Sequence, residues 1–364
     1  MGVGYIGSKN TLDCFLASLV EDRVIPGGVA AICDRNKVLY SWCGGNRELF
    51  PHKLPMLPNT QFDLASLTKV VSTTMVAARL IGMGELALSD RIGTFFASSG
   101  NFPNVSVLQL LTHTGGFISE ERLWDNLKDS QETIQYILNS QPQCVPGEKV
   151  IYSCFGFIIL GAILETVFGS SLALAAKELV FQPLGMDRTT YCPHQSAKTF
   201  PSGFASTEID ECSGMMLSGI VHDENARFMH GVSGNSGCFS CMDDLVIWAQ
   251  MLLSEGKSMN GNKFLSTSIT DLFSQNLTEG LGDSRSLGFK IIPLGKRGID
   301  EKETLAYGHT GFTGTSVLFV PARKVAVILL TNRVHPSRNE QRLLSLRPIF
   351  HEIAMDLADS YQVY

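Results

Sequence analysis

Short apolar runs typical of strands occur at both ends of the chain, and helical patterns occupy its middle. A helical pattern over 10–22 precedes two apolar runs, 28–33 and 38–43, which a polar turn joins as in a hairpin. Short helical patterns separated by glycine-rich loops follow, and they predict helices over 105–111, 132–138, 155–168, 172–180 and 243–253. After residue 285 the pattern predicts strands over 287–292, 304–308, 316–320 and 325–331, and a closing helix over 342–361.

Strands at both ends and helices in the middle favour one antiparallel sheet built from both chain ends. Helices near the termini would face this sheet, and the helical middle would dock against it. We therefore predict an α+β protein, with a sheet subdomain over 1–62 and 281–364 and a helical subdomain over 63–280. Together they would form one composite domain, and the groove between them is the natural cleft for a site.

Composition narrows the class of protein. The 364 residues, 44% apolar and 18% charged, can bury a large core. A net charge of −6 without a Lys/Arg block argues against nucleic acid as a partner, and no apolar stretch reaches the roughly 20 residues that a membrane span needs. The nine cysteines lack the spacing of a disulfide scaffold, and the first residues do not resemble a secretion signal. We expect free thiols and a cytoplasmic protein, unless a leader peptide has been removed.

Ser66 and Lys69 are the first candidates for chemistry. They lie three residues apart at the start of a predicted helix that runs to Leu80, so both side chains occupy one face and the amine can activate the hydroxyl without a histidine. The four-residue pattern is weak alone, because Ser254 and Lys257 repeat it where a helix is predicted to end. Apolar residues at helical spacing around Ser66 favour the first copy.

Tyr152 is a candidate base. It lies in the stretch 146–156, where a Pro-Gly turn leads into an apolar helix. A phenol has an ordinary pKa of about 10, so it becomes a useful base at neutral pH only where a cation such as Lys69 stabilises its anion. The alternative is a structural tyrosine at the end of a core helix, with its hydroxyl hydrogen-bonded.

A third candidate is the turn 308–314 between two predicted strands. His309 and Thr310 could hold a carboxylate or a carbonyl oxygen, and glycines such as Gly311 let a substrate approach the backbone closely. The amides of Phe312 and Ser66 could form an oxyanion hole. The chain has no G-x-S-x-G, H-E-x-x-H or G-x-x-x-x-G-K motif, and we expect a hydrolase that needs neither metal nor cofactor.

Taken in order, the motifs at Ser66, Tyr152 and His309 resemble those of the serine β-lactamase and penicillin-binding-protein superfamily. The resemblance is strongest to its class C β-lactamase-like branch, which includes DD-carboxypeptidases and family VIII esterases. It covers nearly the whole chain and implies the β-lactamase/transpeptidase-like fold. Supporting stretches are 110–116, 221–227 and 331–336.

The resemblance also implies a role for each motif residue. Ser66 would be the acylated nucleophile, and Lys69 would activate it and lower the pKa of Tyr152. Tyr152 would be the general base in acylation and the proton donor to the leaving group. The Ser66 and Phe312 amides would form the oxyanion hole, and the turn beginning at His309 would bind substrate.

Two departures from the family pattern change the expected substrate. Cys154 stands where the family usually has asparagine, so an amide that would hold an acylamino side chain is replaced by a weak hydrogen-bonding group. His309 stands where many β-lactamases carry lysine, so an anchor for a substrate carboxylate is charged only at lower pH. We therefore predict an esterase or D-amino-acid peptidase that acts on a small ester or amide. The alternatives are a true β-lactamase and a non-catalytic sensor of β-lactams or peptidoglycan fragments.

Three further residues are candidates for the pocket. Arg333 and His335 follow a predicted strand and could reach the cleft, and a structural salt bridge is the alternative. His222 could border the pocket, or it could belong to a hydrogen-bonded loop network.

Overall fold

Strands at both chain ends and helices between them make up the protein. The structure is a computed structural model that describes residues 9–124, 127–192, 203–210, 213–296 and 303–362. The strands are β1 (Gly27–Asp34), β2 (Val38–Glu48), β3 (Leu54–Pro55), β4 (Phe62–Asp63), β5 (Thr190–Tyr191), β6 (Cys238–Ser240), β7 (Lys290–Lys296), β8 (Glu303–Thr310), β9 (Ser316–Val320) and β10 (Val325–Thr331). The helices are α1 (Lys9–Glu21), α2 (Thr74–Met83), α3 (Ile92–Phe95), α4 (Val107–Leu111), α5 (Ser130–Asn139), α6 (Cys154–Phe168), α7 (Leu172–Ala176), α8 (Gln182–Leu184), α9 (Glu224–Phe228), α10 (Met242–Leu253), α11 (Thr267–Ser274) and α12 (Arg342–Gln362).

The main sheet has seven strands in the order β3-β2-β1-β10-β9-β8-β7. Its neighbours are antiparallel, and the two chain ends meet at its centre, where Val29 of β1 lies opposite Leu330 of β10. The predicted α+β fold class is confirmed. β7 begins at Lys290 rather than at residue 287, because Gly288 lies in a turn with φ of 78°. The division into subdomains at residues 62 and 280 stays a prediction.

Both faces of the main sheet are covered. Ile32 of β1 belongs to one buried cluster with Leu16 of α1 and Phe350 of α12. Its neighbour Ala31 belongs to the other buried cluster, together with Trp248 of α10. Successive side chains of a strand point to opposite faces. Burial on both faces therefore explains why β1 and β10 are unbroken apolar runs rather than alternating patterns.

Helix α6 forms the core of the helical part. Ten of its 15 residues are buried, and a helix that is apolar all round is typical of a core position. Among the described residues, no single helix is long and apolar enough to cross a membrane. Helix α6 and the segment Leu172–Leu184 pass this test only when they are counted together, and a bend of 75° separates them.

A second, small sheet lies directly before Ser66 and has no counterpart in the sequence prediction. Its strands follow the order β4-β6-β5, with Phe62 opposite Ser240 and Asp63 opposite Phe239. Strands of two or three residues are too short to produce a periodic pattern. The pairing of β4 with β6 fixes the chain immediately before the candidate nucleophile.

The segment after β4 differs from the continuous helix that the sequence predicts. Ala65–Leu67 form a 3-10 turn, Lys69–Thr73 form a π-helical turn, and α2 begins at Thr74. Gly84 ends α2 in a left-handed conformation with φ of 79°, as is common at helix C-termini. π-helical turns inside helices are frequent at functional sites, and this one carries Lys69.

We predict that Gly234→Ala destabilises the fold. A Cβ at Gly234 would lie 2.0 Å from the carbonyl oxygen of Phe157 in α6, where two backbones meet and neither can move away without disturbing the core. Overpacking of this kind costs roughly 1–3 kcal/mol, so the midpoint of thermal unfolding should fall measurably in calorimetry.

The matched control for this variant is Gly82→Ala. A Cβ at Gly82 of α2 would meet nothing within 4 Å, and alanine in place of a helical glycine should stabilise by roughly 0.5–1 kcal/mol. If Gly234→Ala unfolds at the same temperature as the wild type, the close approach of the two backbones is wrong.

Candidate active site

Ser66 lies on the tight turn between β4 and α2, and Asp63 holds this turn in place. The Ala65 backbone has φ of 46°, a left-handed conformation that costs a residue with a Cβ roughly 1–3 kcal/mol. Asp63 Oδ1 accepts a hydrogen bond from the Ala65 amide at 2.8 Å, and Oδ2 accepts one from the His222 amide at 2.6 Å. The buried carboxylate therefore stabilises the strained turn that presents Ser66.

Lys69 is fully buried, and its amine lies between three acceptors from different parts of the chain. Nζ is 3.1 Å from Ser66 Oγ, 3.0 Å from the Asn235 carbonyl oxygen and 3.6 Å from Cys154 Sγ. An ammonium group has three hydrogens to donate. The three acceptors therefore satisfy Lys69 in its charged form.

Tyr152 lies beside this pair, two residues before α6. The centre of its ring is 5.2 Å from Lys69 Nζ. Ser153 caps the helix, because its Oγ accepts a hydrogen bond from the Gly156 amide at 3.1 Å. The structure thus brings Ser66, Lys69 and Tyr152 together, although Tyr152 is far from the other two in sequence.

His113 fixes the segment that carries Tyr152. Its carbonyl oxygen accepts a hydrogen bond from the Ile151 amide at 2.9 Å, and its Nδ1 accepts one from the Ser153 amide at 3.1 Å. Its ring lies 4.6 Å from the ring of Tyr152. Burial lowers the pKa of His113 well below its ordinary value, so the ring is neutral and acts on the position of Tyr152 rather than on its charge.

Burial also determines which groups of the site are ionised. It raises the pKa of Tyr152, and the Lys69 cation opposes this effect without reversing it. For Lys69, burial favours the neutral amine, but the neighbouring Cys154 and Tyr152 outweigh burial and raise its pKa. At neutral pH the resting site therefore holds a Lys69 ammonium and a Tyr152 phenol. Lys69 lowers the pKa of Tyr152, as the resemblance implied, but desolvation of the phenolate raises it by more, so the net pKa lies above its ordinary value.

His309 lies on β8, and its ring is 5.8 Å from the ring of Tyr152. Its Nδ1 is 2.9 Å from the Thr310 carbonyl oxygen, so Nδ1 carries the hydrogen and Nε2 is an acceptor. Burial, followed by the nearby Lys69 and Arg285 cations, lowers the pKa of His309 to about 3. In this state the ring has no hydrogen free for a substrate carboxylate, and the expected role of His309 in substrate binding stays a prediction.

The turn after β8 is tied to the turn that carries Ser66. Gly311 approaches so closely that a Cβ there would lie 2.6 Å from the Leu64 carbonyl oxygen. Thr313 Oγ1 donates to the Asp63 carbonyl oxygen at 2.8 Å, and Thr315 Oγ1 donates to the Leu64 carbonyl oxygen at 3.0 Å. The two turns therefore form one rigid unit, with Phe312 beside Ser66.

A cavity of about 730 Å³ opens beside Ser66 and Tyr152. The segment from Gly308 to Phe312 forms part of its wall, which brings the third sequence motif next to the first two. Phe312 is half exposed at the rim. Cys154 is buried behind Lys69 and does not itself line the cavity in the described part of the chain. In the same residues, no group of three or more His, Cys, Asp or Glu side chains could hold a metal ion.

Two residues of the site carry no sequence motif. Arg285 lines the cavity with its guanidinium 5.4 Å from the centre of the Tyr152 ring, and Asp283 holds it through hydrogen bonds of 3.0 Å to Nε and 2.8 Å to Nη2. Asn235 contacts Lys69 through its backbone carbonyl, while its buried side chain accepts a hydrogen bond from Ser233 Oγ at 2.7 Å and donates one to Asp223 Oδ2 at 3.3 Å. The glycine-rich stretch 231–237 was the only signal in the sequence that this loop packs closely.

Arg333, His335 and His222 surround the site, but none of them lines the cavity in the described residues. Arg333 Nε donates to the Phe312 carbonyl oxygen at 3.2 Å. The His222 ring stacks on Phe312 with a centroid distance of 5.6 Å, and its Nε2 lies 2.9 Å from Glu208 Oε2. Backbone groups hold His335. Arg333 and His222 therefore support Phe312 from outside the cavity, whereas His335 joins the backbones of Leu49 and Thr207.

The sequence matches the family model described as Beta-lactamase over residues 12–347. The chain belongs to the β-lactamase family. It is a serine hydrolase of this family, which acts on ester, amide or β-lactam substrates.

Relatives of the chain carry names from several branches of the β-lactamase family. The chain is 29% identical over 351 residues to the N-acetylmuramyl-L-alanine amidase of Bacillus subtilis (strain 168), covering 85% of this chain and 78% of that protein. It is 29% identical over 367 residues to the "Putative D-alanyl-D-alanine carboxypeptidase" of Escherichia coli (strain K12), covering 90% of this chain and 82% of that protein. The class C β-lactamase structure from Rhodobacter sphaeroides matches with a TM-score of 0.72 at 17% identity, covering 98% of this chain and 100% of that one. At that identity the structural likeness shows the fold alone.

We predict that kcat/KM rises with pH through the neutral and alkaline range. If the Lys69–Tyr152 pair is the base that activates Ser66, as the resemblance implies, the pair must first lose one proton, and both groups have pKa values above their ordinary values. At pH values below these pKa values, the fraction in the active form grows about tenfold per pH unit. The measurement is the pH profile of p-nitrophenyl ester hydrolysis, corrected for hydrolysis by the buffer.

The control for the pH profile is His309→Gln. The pKa of His309 is already lowered to about 3, so its removal should leave the rising limb at the same pH even where the rate itself changes. A limb with a midpoint at about pH 6.5 that disappears in the variant would instead assign the titration to histidine.

Proposed function

We propose that the protein is an esterase or D-amino-acid peptidase that works through an acyl-enzyme on Ser66. The observation that carries the proposal is the contact of Lys69 Nζ with Ser66 Oγ at 3.1 Å, at the wall of a cavity that Tyr152 also lines. A buried amine beside a serine hydroxyl is an arrangement that activates a nucleophile without histidine.

In the proposed reaction, the Lys69–Tyr152 pair has lost one proton and accepts the proton of Ser66 as Oγ attacks the substrate carbonyl carbon. The amides of Ser66 and Phe312 stabilise the oxyanion that forms. As the bond to the leaving group breaks, the proton passes through Tyr152 to the departing oxygen or nitrogen. Water then attacks the ester on Ser66 by the same route, which releases the acid and restores the serine.

The side chains around the nucleophile favour a simple ester over a β-lactam. Cys154 places a thiol 3.6 Å from Lys69 Nζ, and a thiol is a weaker hydrogen-bonding group than the amide that the family usually has there. The His309 ring is neutral, and its one hydrogen is already donated to the Thr310 carbonyl oxygen, so none is left for a carboxylate. An uncharged ester needs neither of the missing groups.

Arg285 favours the peptidase as the second candidate. Its guanidinium lies in the cavity wall over the face of the Tyr152 ring, and arginine binds carboxylates well. Asp283 holds Nε and Nη2, so the remaining Nη1 would bind the C-terminal carboxylate of a D-amino-acid peptide in place of a lysine at position 309. The names of the two curated relatives above also point to amide substrates.

We predict that a fluorophosphonate probe forms one covalent adduct with the wild-type protein and none with Ser66→Ala. The hydroxyl of Ser66 displaces fluoride from phosphorus, and intact-mass analysis measures the product. The matched control is Ser254→Ala, which removes the serine of the second S-x-x-K pattern. Ser254 follows the last residue of α10, and its variant should label like the wild type.

The same experiment separates the enzyme from a sensor. An adduct on Ser66→Ala equal to that on the wild type would refute the assignment of the nucleophile. A stable acyl adduct from an activated ester, with no turnover in steady-state assays, would favour the non-catalytic sensor instead.

We predict that Cys154→Asn raises the turnover of a chromogenic cephalosporin at least about tenfold relative to that of p-nitrophenyl butyrate. The amide restores hydrogen bonds beside Lys69, and about tenfold corresponds to the ~1.4 kcal/mol that one hydrogen bond contributes. Cys154→Ala is the control, since it removes the thiol without adding an amide and should not raise the ratio. Rapid cephalosporin hydrolysis by the wild type would favour the β-lactamase alternative.

A further inference from the structure

The cavity beside Ser66 continues beyond the catalytic residues. It passes β8 and reaches a groove between β7, β9 and α12, which we name the α12 arm. The wall of the α12 arm is largely apolar and includes Ile292, Leu294, Leu318, Leu344, Pro348 and Met355. At about 730 Å³ the whole cavity has the size of pockets that enclose most of a drug-sized ligand, so a small substrate centred on Ser66 leaves the arm unfilled.

Arg347 lies in the wall of the α12 arm and is only 6% exposed. Its Nη1 donates to the Thr315 carbonyl oxygen at 3.1 Å. Its Nε is buried without a hydrogen-bond partner. The edge formed by Nε and Nη2, through which an arginine binds a carboxylate side-on, therefore has no partner among the described residues.

A buried guanidinium without an acidic partner is unfavourable, because its charge has left water and gained no counter-charge. Within the described part of the chain, no Asp or Glu lies within ion-pair distance of Arg347. The charge that acts on it is Arg333, which has the same sign. No group of the described residues thus balances the charge of Arg347, whereas a bound anionic ligand would balance it.

His351, one turn after Arg347 on α12, adds a second unpaired polar atom to the arm. Its Nε2 is 3.0 Å from Ser316 Oγ, and its Nδ1 is buried without a partner. Burial and the Arg347 charge lower the pKa of His351 to about 3, so the ring is neutral. When Ser316 donates to Nε2, Nδ1 carries a hydrogen that an anion can accept.

The other charged groups of the cavity wall already have partners. Arg285 Nη2 lies 2.8 Å from Asp283 Oδ2, and Lys290 Nζ lies 3.4 Å from Asp283 Oδ1. Glu352 is exposed and has a partner of its own. Arg347 is therefore the charge of the α12 arm that an incoming anion would neutralise.

We propose that the α12 arm binds an anionic end of the substrate, a carboxylate on a linear apolar chain. The carboxylate lies on Arg347, the methylene groups lie along the apolar wall, and the reacting carbonyl lies at Ser66. The claim that the bound chain is a substrate rests on the proposed function. The carboxylate site itself rests on the burial and missing partner of Arg347.

The test measures binding without catalysis. Isothermal titration calorimetry on Ser66→Ala compares linear carboxylates from butanoate to dodecanoate with the neutral amides of the same length. We expect affinity to rise with chain length, and octanoate to bind at least about tenfold more tightly than octanamide, which is about 1.4 kcal/mol. Arg347→Met in the same background should abolish this preference and leave octanamide binding within about twofold.

Two further variants separate loss of charge from loss of folding. Arg347→Lys keeps the positive charge and should retain part of the preference for octanoate. Arg342→Met removes an exposed arginine of the same helix and should leave the preference intact. Equal affinity for octanoate and octanamide with Arg347 present would overturn the proposal. So would an Arg347→Met variant that loses affinity for both ligands to the same extent.

The two proposals fail separately. Octanoate binding that depends on Arg347, combined with no hydrolysis of any ester or peptide, would refute the hydrolytic function and retain the carboxylate site. Ester hydrolysis through Ser66 without a preference for carboxylate chains would refute the carboxylate site and retain the hydrolase.

Discussion

The burial of the Lys69 amine is the interaction on which the rest of the site depends. A charged amine is tolerated away from water only where acceptors surround it. Here they come from three segments: the Ser66 turn, the start of α6 and the loop before β6. Gly234 packs against Gly161 of α6, and this close approach brings the neighbouring Asn235 carbonyl to Nζ. The packing of the helical part and the proposed reactivity of Ser66 therefore share one cause.

The main sheet supplies the second constraint. The turn between β8 and β9 lies against the turn that carries Ser66, and two threonine hydroxyls bond it to the backbone of Asp63 and Leu64. Asp63 in turn holds the strained Ala65 conformation. A serine hydrolase needs its nucleophile and its oxyanion donors held in fixed relation before substrate arrives. In this protein, hydrogen bonds between the two turns fix the proposed nucleophile Ser66 relative to Phe312, the proposed second oxyanion donor.

The long elements were predictable because each buries an apolar pattern over many residues. β9 and β10 occupy the predicted residues, and α6 and α12 match within one residue at each end. The strands around Ser66 were not predictable, since two or three residues show no period. The helix predicted from Ser66 onward is instead a 3-10 turn followed by a π-helical turn. Local strain held by Asp63, a residue of β4, overrides the helical pattern there.

The pattern of apolar runs was enough to indicate the α+β fold, and the order of the motifs was enough to single out Ser66, Lys69 and Tyr152, because both inferences depend on residue type and spacing alone. The charge states of the site could not be read in this way. The raised pKa of Tyr152, the neutral His309 and the unpartnered Arg347 all depend on which groups exclude water and which remote groups lie within a few ångströms. Spacing along the chain is local information. Burial and the distances between segments that are far apart in sequence exist only after the whole chain has packed.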